Sequence, residues 1–237
     1  MSKKKKIIII TICSVLAALL LASALVVFIH VIPECKRKKE LLIAIENYRN
    51  AKYATYETEN AQYASGEVDV AFLGDSLTDG YDVDKYYTQF KVENRGIGGD
   101  TTFDLEKRLK VSVYDLQPKV VVMLIGANNF KTMFDNYENI VKGLTTNLPN
   151  SKIVLLSLTA MNGEIWGINN ELACFNNVKI ELIAKKYSCT FIDLFTPLFD
   201  LESNGIKPQY TTDGGHLTPA GYDVITGVIT PVLEQLL

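Results

Sequence analysis

The sequence predicts an α/β domain built on a parallel sheet and preceded by one N-terminal transmembrane helix. Two patterns carry that expectation. Ile7 to Ile32 run for 26 residues without a charged side chain, and a bilayer core is spanned by about 20 apolar residues. Beyond Gly66 the chain changes to short apolar runs alternating with helical stretches, which implies a parallel sheet covered on both faces.

The N-terminus opens with a basic tail, residues 1–6, containing Lys3, Lys4, Lys5 and Lys6, and the span is assigned to residues 7–32. A secretory signal carries a hydrophobic stretch of only ~7–15 residues. Ala22-Ser23-Ala24 resembles a cleavage site, but apolar sequence continues past it to Ile32. A retained anchor is therefore favoured over a cleaved signal. Lys36, Arg37, Lys38 and Lys39 follow the span, so charge asymmetry does little to set its orientation. A short basic tail before the first hydrophobic segment ordinarily stays cytoplasmic, which places the C-terminal domain on the extracytoplasmic side.

Residues 33–66 are expected to be a basic juxtamembrane segment and a helical spacer. Leu41–Ala64 contains no Gly or Pro, and Leu41, Ile45 and Tyr48 fall on one stripe that Lys52 and Glu59 interrupt. Such a helix either holds the domain off the membrane or packs on its back. The domain proper is assigned to residues 67–237. Val68–Leu73, Val120–Ile125, Ile153–Leu158 and Thr190–Ile192 suit buried parallel strands, and Lys91–Glu93 is a weaker one. Helices are predicted over Thr101–Lys110, Tyr137–Leu148 and Asn169–Tyr187. The last helix has Thr218 as N-cap and Pro219 at its first position, and runs to Leu236.

Composition narrows the function classes. Of 24 basic and 27 acidic residues, 8 and 2 lie in the first forty, which leaves 16 and 25 and a net charge of −9 on the remainder. A domain of that charge repels phosphate backbones, so nucleic acid is not an expected partner. Cys174 and Cys189 are the only cysteines in the domain. With no CxxC and no Cys/His cluster, no metal site is indicated. The two are read as buried thiols, with a disulfide between them as the alternative.

Four segments follow predicted strands, where open α/β sheets collect their sites. Gly74-Asp75-Ser76-Leu77-Thr78 presents a serine at a strand-to-helix turn, although those residue types also make ordinary turns. Asn94-Arg95-Gly96-Ile97-Gly98-Gly99-Asp100-Thr101 has backbone able to approach a ligand closely before a helix start. Gly126-Ala127-Asn128-Asn129 offers an amide donor after the most apolar strand. Asp213-Gly214-Gly215-His216 lets a carboxylate fold back onto an imidazole three residues on. A serine nucleophile needs a base and a group that orients that base. The chain has two histidines, and His30 is in the span, so a histidine base for Ser76 must be His216.

These four segments resemble, in order, the sequence blocks of the SGNH (GDSL) hydrolases, with GDSLT at 74–78, NRGIGGDT at 94–101, GANN at 126–129 and DGGH at 213–216. The second block looks most like the acetylhydrolase-type esterase branch. The resemblance implies a flavodoxin-like three-layer α/β/α sandwich with five parallel strands. It also implies Ser76 as nucleophile, His216 as general base and Asp213 as its orienter. The oxyanion hole would be the N–H groups of Ser76 and Gly99 with the Asn128 side chain. The family commonly has Asp after the block-three Asn, where this chain has Asn129, which puts fine positioning in question.

The expected activity is hydrolysis of short-chain acyl esters through an acyl-enzyme, without metal or cofactor, on a small-molecule or glycan ester such as an O-acetyl carbohydrate. The alternatives are a lysophospholipase or thioesterase acting on longer acyl chains, and a catalytically inactive anchored binding protein. Tyr81, Phe103, Phe130 and Trp166 follow strands and are candidates for the pocket wall or for ordinary packing.

Overall fold

The computed structural model of the chain describes residues 2–237. Helix α1 covers Lys3–Val26, a π-helical turn covers Val27–Val31, and α2 covers Ile32–Asn60. The chain divides into two units between Ala51 and Lys52. In the first unit every residue from Ser2 to Tyr48 is exposed, including Leu21 and Phe28. A helix apolar on all sides has no core-facing stripe, and this one is long and apolar enough to cross a membrane.

The second unit, Lys52–Leu237, holds a five-stranded sheet. Its strands are β1 (Val70–Gly74), β2 (Val92–Gly96), β3 (Val120–Leu124), β4 (Lys152–Leu156) and β5 (Thr190–Ile192). Their order is β2-β1-β3-β4-β5, with every pairing parallel. The helices are α3 (Ser76–Asp79), α4 (Val83–Tyr86), α5 (Thr102–Lys107), α6 (Phe134–Asn147), α7 (Gly163–Trp166), α8 (Asn170–Lys186), α9 (Phe195–Leu198) and α10 (Pro219–Leu236). A two-stranded antiparallel ribbon, Phe199–Asp200 with Gly205–Ile206, completes the fold.

Side-chain alternation along the strands builds a core on each face. Ala71, Leu73, Val121, Met123, Ile153 and Leu155 pack with Leu105, Tyr137, Ile140, Leu144 and Ile180. Val70, Phe72, Val120, Val122, Val154 and Leu156 pack with Leu77, Tyr222, Ile225, Ile229 and Leu233. The expected α/β/α sandwich is thus the observed one. Its strand order reverses between β1 and β3, where sheets of this class place their ligand crevice.

Local differences have local causes. Strand β2 extends to Gly96 because its polar residues find partners: Asn94 donates to the Thr78 and Tyr81 carbonyls. Strand β4 ends at Leu156 because the Asn177 amide takes over the backbone groups of Leu158 at 2.8 and 3.0 Å. Helix α10 is capped as expected, Thr218 Oγ1 accepting from Gly221 N at 3.2 Å. Helix α2 does not remain a bare spacer, since from Lys52 on it belongs to the compact unit and buries Tyr56. Both domain cysteines are free thiols. Cys174 is exposed on α8 rather than buried, because Ala173, Asn176 and Ile180 form that helix's inner face.

Candidate active site

Strand β1 ends at Gly74, and Asp75 caps the short helix that Ser76 begins, its Oδ1 accepting from Leu77 N at 3.1 Å. Ser76 Oγ stands 3.0 Å from His216 Nε2, a contact across 140 residues of sequence. His216 Nδ1 stands 2.8 Å from Asp213 Oδ2. The other Asp213 oxygen accepts from the backbone N–H of His216 at 2.8 Å and of Gly215 at 3.0 Å. Burial works against ionisation of Asp213, but those N–H donors and the imidazole outweigh it and hold the carboxyl well below its usual range. An ionised carboxylate only accepts, so Nδ1 carries the proton and Nε2 is left to accept from the serine hydroxyl.

Trp166 explains part of this loop. Its indole meets the His216 ring edge-on, with centroids 5.7 Å apart. A β-carbon at Gly215 would stand 2.6 Å from the indole Cδ2, so the tryptophan lies over backbone only glycine can present.

The glycine loop after β2 comes up beside the serine. A β-carbon on Gly98 would stand 4.0 Å from Cβ of Ser76, and Gly99 has φ +81° with open space in front of it. The side-chain amide of Asn128 donates one hydrogen to the Asp100 carbonyl at 2.9 Å, which leaves its second hydrogen available. Among the described residues, the backbone N–H groups of Ser76 and Gly99 have no protein acceptor. The fold therefore gathers the four expected segments, with His216 meeting Ser76 directly, Gly98 approaching it and Asn128 joined to the glycine loop at Asp100.

Beneath them lies a residue the sequence did not single out. Arg108 is buried, and its Nε pairs with Asp100 Oδ2 at 2.7 Å. It also donates to the Gly74 carbonyl at 2.8 Å, to the Arg95 carbonyl at 2.9 Å and to Ser112 Oγ at 2.8 Å. The available signal was an arginine among Leu105, Leu109 and Ser112, on the stripe that should face the core. Asp75 is also buried, and its Oδ2 has no hydrogen-bond partner among the described residues. Burial pushes its pKa up to about 7; the Leu77 N–H opposes the shift and the Asp100 charge adds to it.

Asn129 fills the position where the family pattern has Asp. Its Oδ1 accepts from Thr102 N at 3.3 Å, and its Nδ2 donates to Thr102 Oγ1 at 2.9 Å. A hydroxyl both donates and accepts, so Thr102 pairs with an amide as well as with a carboxylate and α5 stays anchored. Of the aromatic candidates, Tyr81 and Phe130 are core residues, Phe103 is exposed, and Trp166 reaches the site.

Known proteins share the fold that carries these residues. The sequence model of the GDSL-like lipase/acylhydrolase family matches residues 72–224. The chain is similar to a GDSL-like lipase from Bacteroides thetaiotaomicron, at 27% identity and a TM-score of 0.68 over 78% of this chain and 98% of that one. It shares its fold with an acetyl xylan esterase from Geobacillus stearothermophilus, at 18% identity and a TM-score of 0.59 over 71% and 95%. It also shares it with an α/β hydrolase from the metagenome of Lake Arreo, at 21% identity and a TM-score of 0.56 over 74% and 99%. No curated protein sequence matches significantly. The match begins within β1, just ahead of Ser76, and ends beyond His216 in α10, and on it the chain belongs to the GDSL-like lipase/acylhydrolase family of ester hydrolases.

Proposed function

We propose that the protein transfers the acyl group of short-chain esters, O-acetyl carbohydrates among them, to water through Ser76. The observation that carries this is the line of contacts from Ser76 Oγ to His216 Nε2 at 3.0 Å and from His216 Nδ1 to Asp213 Oδ2 at 2.8 Å. His216 takes the hydroxyl proton as Oγ bonds to the ester carbon. The resulting oxyanion is held by the N–H groups of Ser76 and Gly99 and by the free amide hydrogen of Asn128. His216 then returns the proton to the departing alkoxide, and water, activated the same way, releases the acid and restores Ser76. That the Geobacillus protein of the same fold is an acetyl xylan esterase supports the acetyl reading.

Ser76→Ala should abolish both p-nitrophenyl acetate hydrolysis and labelling by a fluorophosphonate. Parent-level hydrolysis in that variant overturns the assignment, and a parent that takes no label would be an anchored binding protein instead.

A second reading has its own support. Ile165 and Ile168, which flank Trp166 in the sequence, are 75% and 78% exposed, and apolar side chains free to meet a substrate there would favour longer acyl chains such as those of lysophospholipids or thioesters. A p-nitrophenyl ester series decides between them: kcat/KM highest at acetate supports the first, and a rise with chain length supports the second.

We further infer that the N-terminal helix anchors the protein with its catalytic domain outside the cytoplasm, on the strength of the basic tail preceding the span. Protease added to intact cells should then remove the domain, and full protection would place it inside.

A further inference from the structure

We propose that the last turns of α2 are part of the catalytic apparatus, with Lys52 and Tyr56 as positioning residues for the loop that carries Gly99. Lys52 Nζ pairs with Asp79 Oδ1 at 2.6 Å, and the other Asp79 oxygen accepts the Gly98 N–H at 3.0 Å. One turn on, the buried Tyr56 hydroxyl donates to the Gly96 carbonyl at 2.7 Å. The Arg95 guanidinium lies 4.6 Å from the Tyr56 ring, pairs with Glu59 and donates to Asn60 Oδ1 at 3.1 Å. Lys52, Tyr56, Glu59 and Asn60 recur at helical spacing, so a single face of α2 makes all of these contacts.

The place where this face grips is what separates it from ordinary packing. It holds the carbonyl of residue 96 directly and, through Asp79, the N–H of residue 98, immediately before Gly99. Asp79 lies in the same short helix as Ser76, so the carboxylate that Lys52 fixes ties the serine's helix to the glycine loop. Without the ammonium, the Asp79 carboxylate loses a charged partner that holds it against the Gly98 N–H. The Gly99 N–H is then no longer fixed relative to Ser76. The inference rests on the oxyanion role proposed for Gly99 and Asn128.

The test uses the full chain in detergent, with active sites counted by fluorophosphonate and p-nitrophenyl acetate as substrate. Lys52→Met and Tyr56→Phe should each lower kcat per labelled site roughly 10- to 100-fold, the scale set by misplacing a reacting group by about 1 Å. KM should change little, because the donor acts mainly in the transition state. Lys52→Arg should restore most of the rate. Ser76→Ala and Asn128→Ala run in parallel. If they lose activity while Lys52→Met and Tyr56→Phe keep the parent kcat per site, the positioning role is overturned and the esterase reading stands. Fewer labelled sites at normal kcat per site would make the contacts merely structural and also overturn it. If Asn128→Ala keeps its rate, the oxyanion reading falls and this inference falls with it.

Discussion

Arg108 and Asp100 form an ion pair sealed from water, with Nε 2.7 Å from Oδ2 and both side chains almost wholly buried. Removing one partner of such a pair strands the other charge in the interior, at a cost of about 3–5 kcal/mol. Arg108→Met should lower stability by that order in urea unfolding of the detergent-solubilised protein. Arg108→Lys should recover only part of it, because an ammonium cannot reach Asp100 and the Gly74 and Arg95 carbonyls as a planar fork does. An unchanged unfolding midpoint in Arg108→Met would mean that Asp100 is not dependent on this partner.

Asp75 gives stability a pH dependence of unusual sign for a carboxylate. Its pKa is pushed up to about 7 in the fold by burial, against about 3.9 in an unfolded chain. The folded state therefore holds this proton more tightly. The associated stability is fully present below the unfolded value and is lost as pH rises through the folded one. Asp75→Asn keeps an acceptor for the Leu77 N–H and cannot ionise. Its melting temperature relative to the parent should climb between pH 4 and 7 and then level off. A difference that stays flat across this window would show that Asp75 is ionised throughout.

Asn128→Ala should lower kcat by roughly 10²–10³, the usual effect of losing one oxyanion donor. KM should move little, since in the proposed mechanism the second amide hydrogen meets charge that develops only in the transition state. Steady-state kinetics on p-nitrophenyl acetate checks this, and a large KM change at constant kcat would make Asn128 a substrate-binding residue instead.

The four site segments were legible because each is local in sequence, although Asp213–His216, expected after a strand, stands instead after the Pro208–Tyr210 turn and just before α10. The sheet was legible for a similar reason, Val120–Leu124 being a continuous buried run that only a two-sided sheet accommodates. What escaped were polar residues whose partners are distant in sequence. Strand β2, expected only over Lys91–Glu93, carries the buried Arg95, whose partners Glu59 and Asn60 lie on α2. Lys52 and Glu59 appeared to interrupt an apolar stripe, yet they are part of the face that α2 turns toward the catalytic domain. Asn129 looked like a weakening of the site until the Thr102 hydroxyl showed how the amide is accommodated.

Asp213 and His216 meet within a single four-residue turn, whereas Ser76 reaches them across 140 residues of intervening fold. The acid and base therefore travel as one cartridge. Any motion of that loop carries both together and leaves the imidazole tautomer as it was. The proposed triad has one joint between distant parts of the chain, the 3.0 Å gap between Nε2 and Oγ. In the proposed mechanism, a substrate that displaced this loop would work that joint like a clutch, parting Ser76 from an imidazole whose carboxylate partner stays in place.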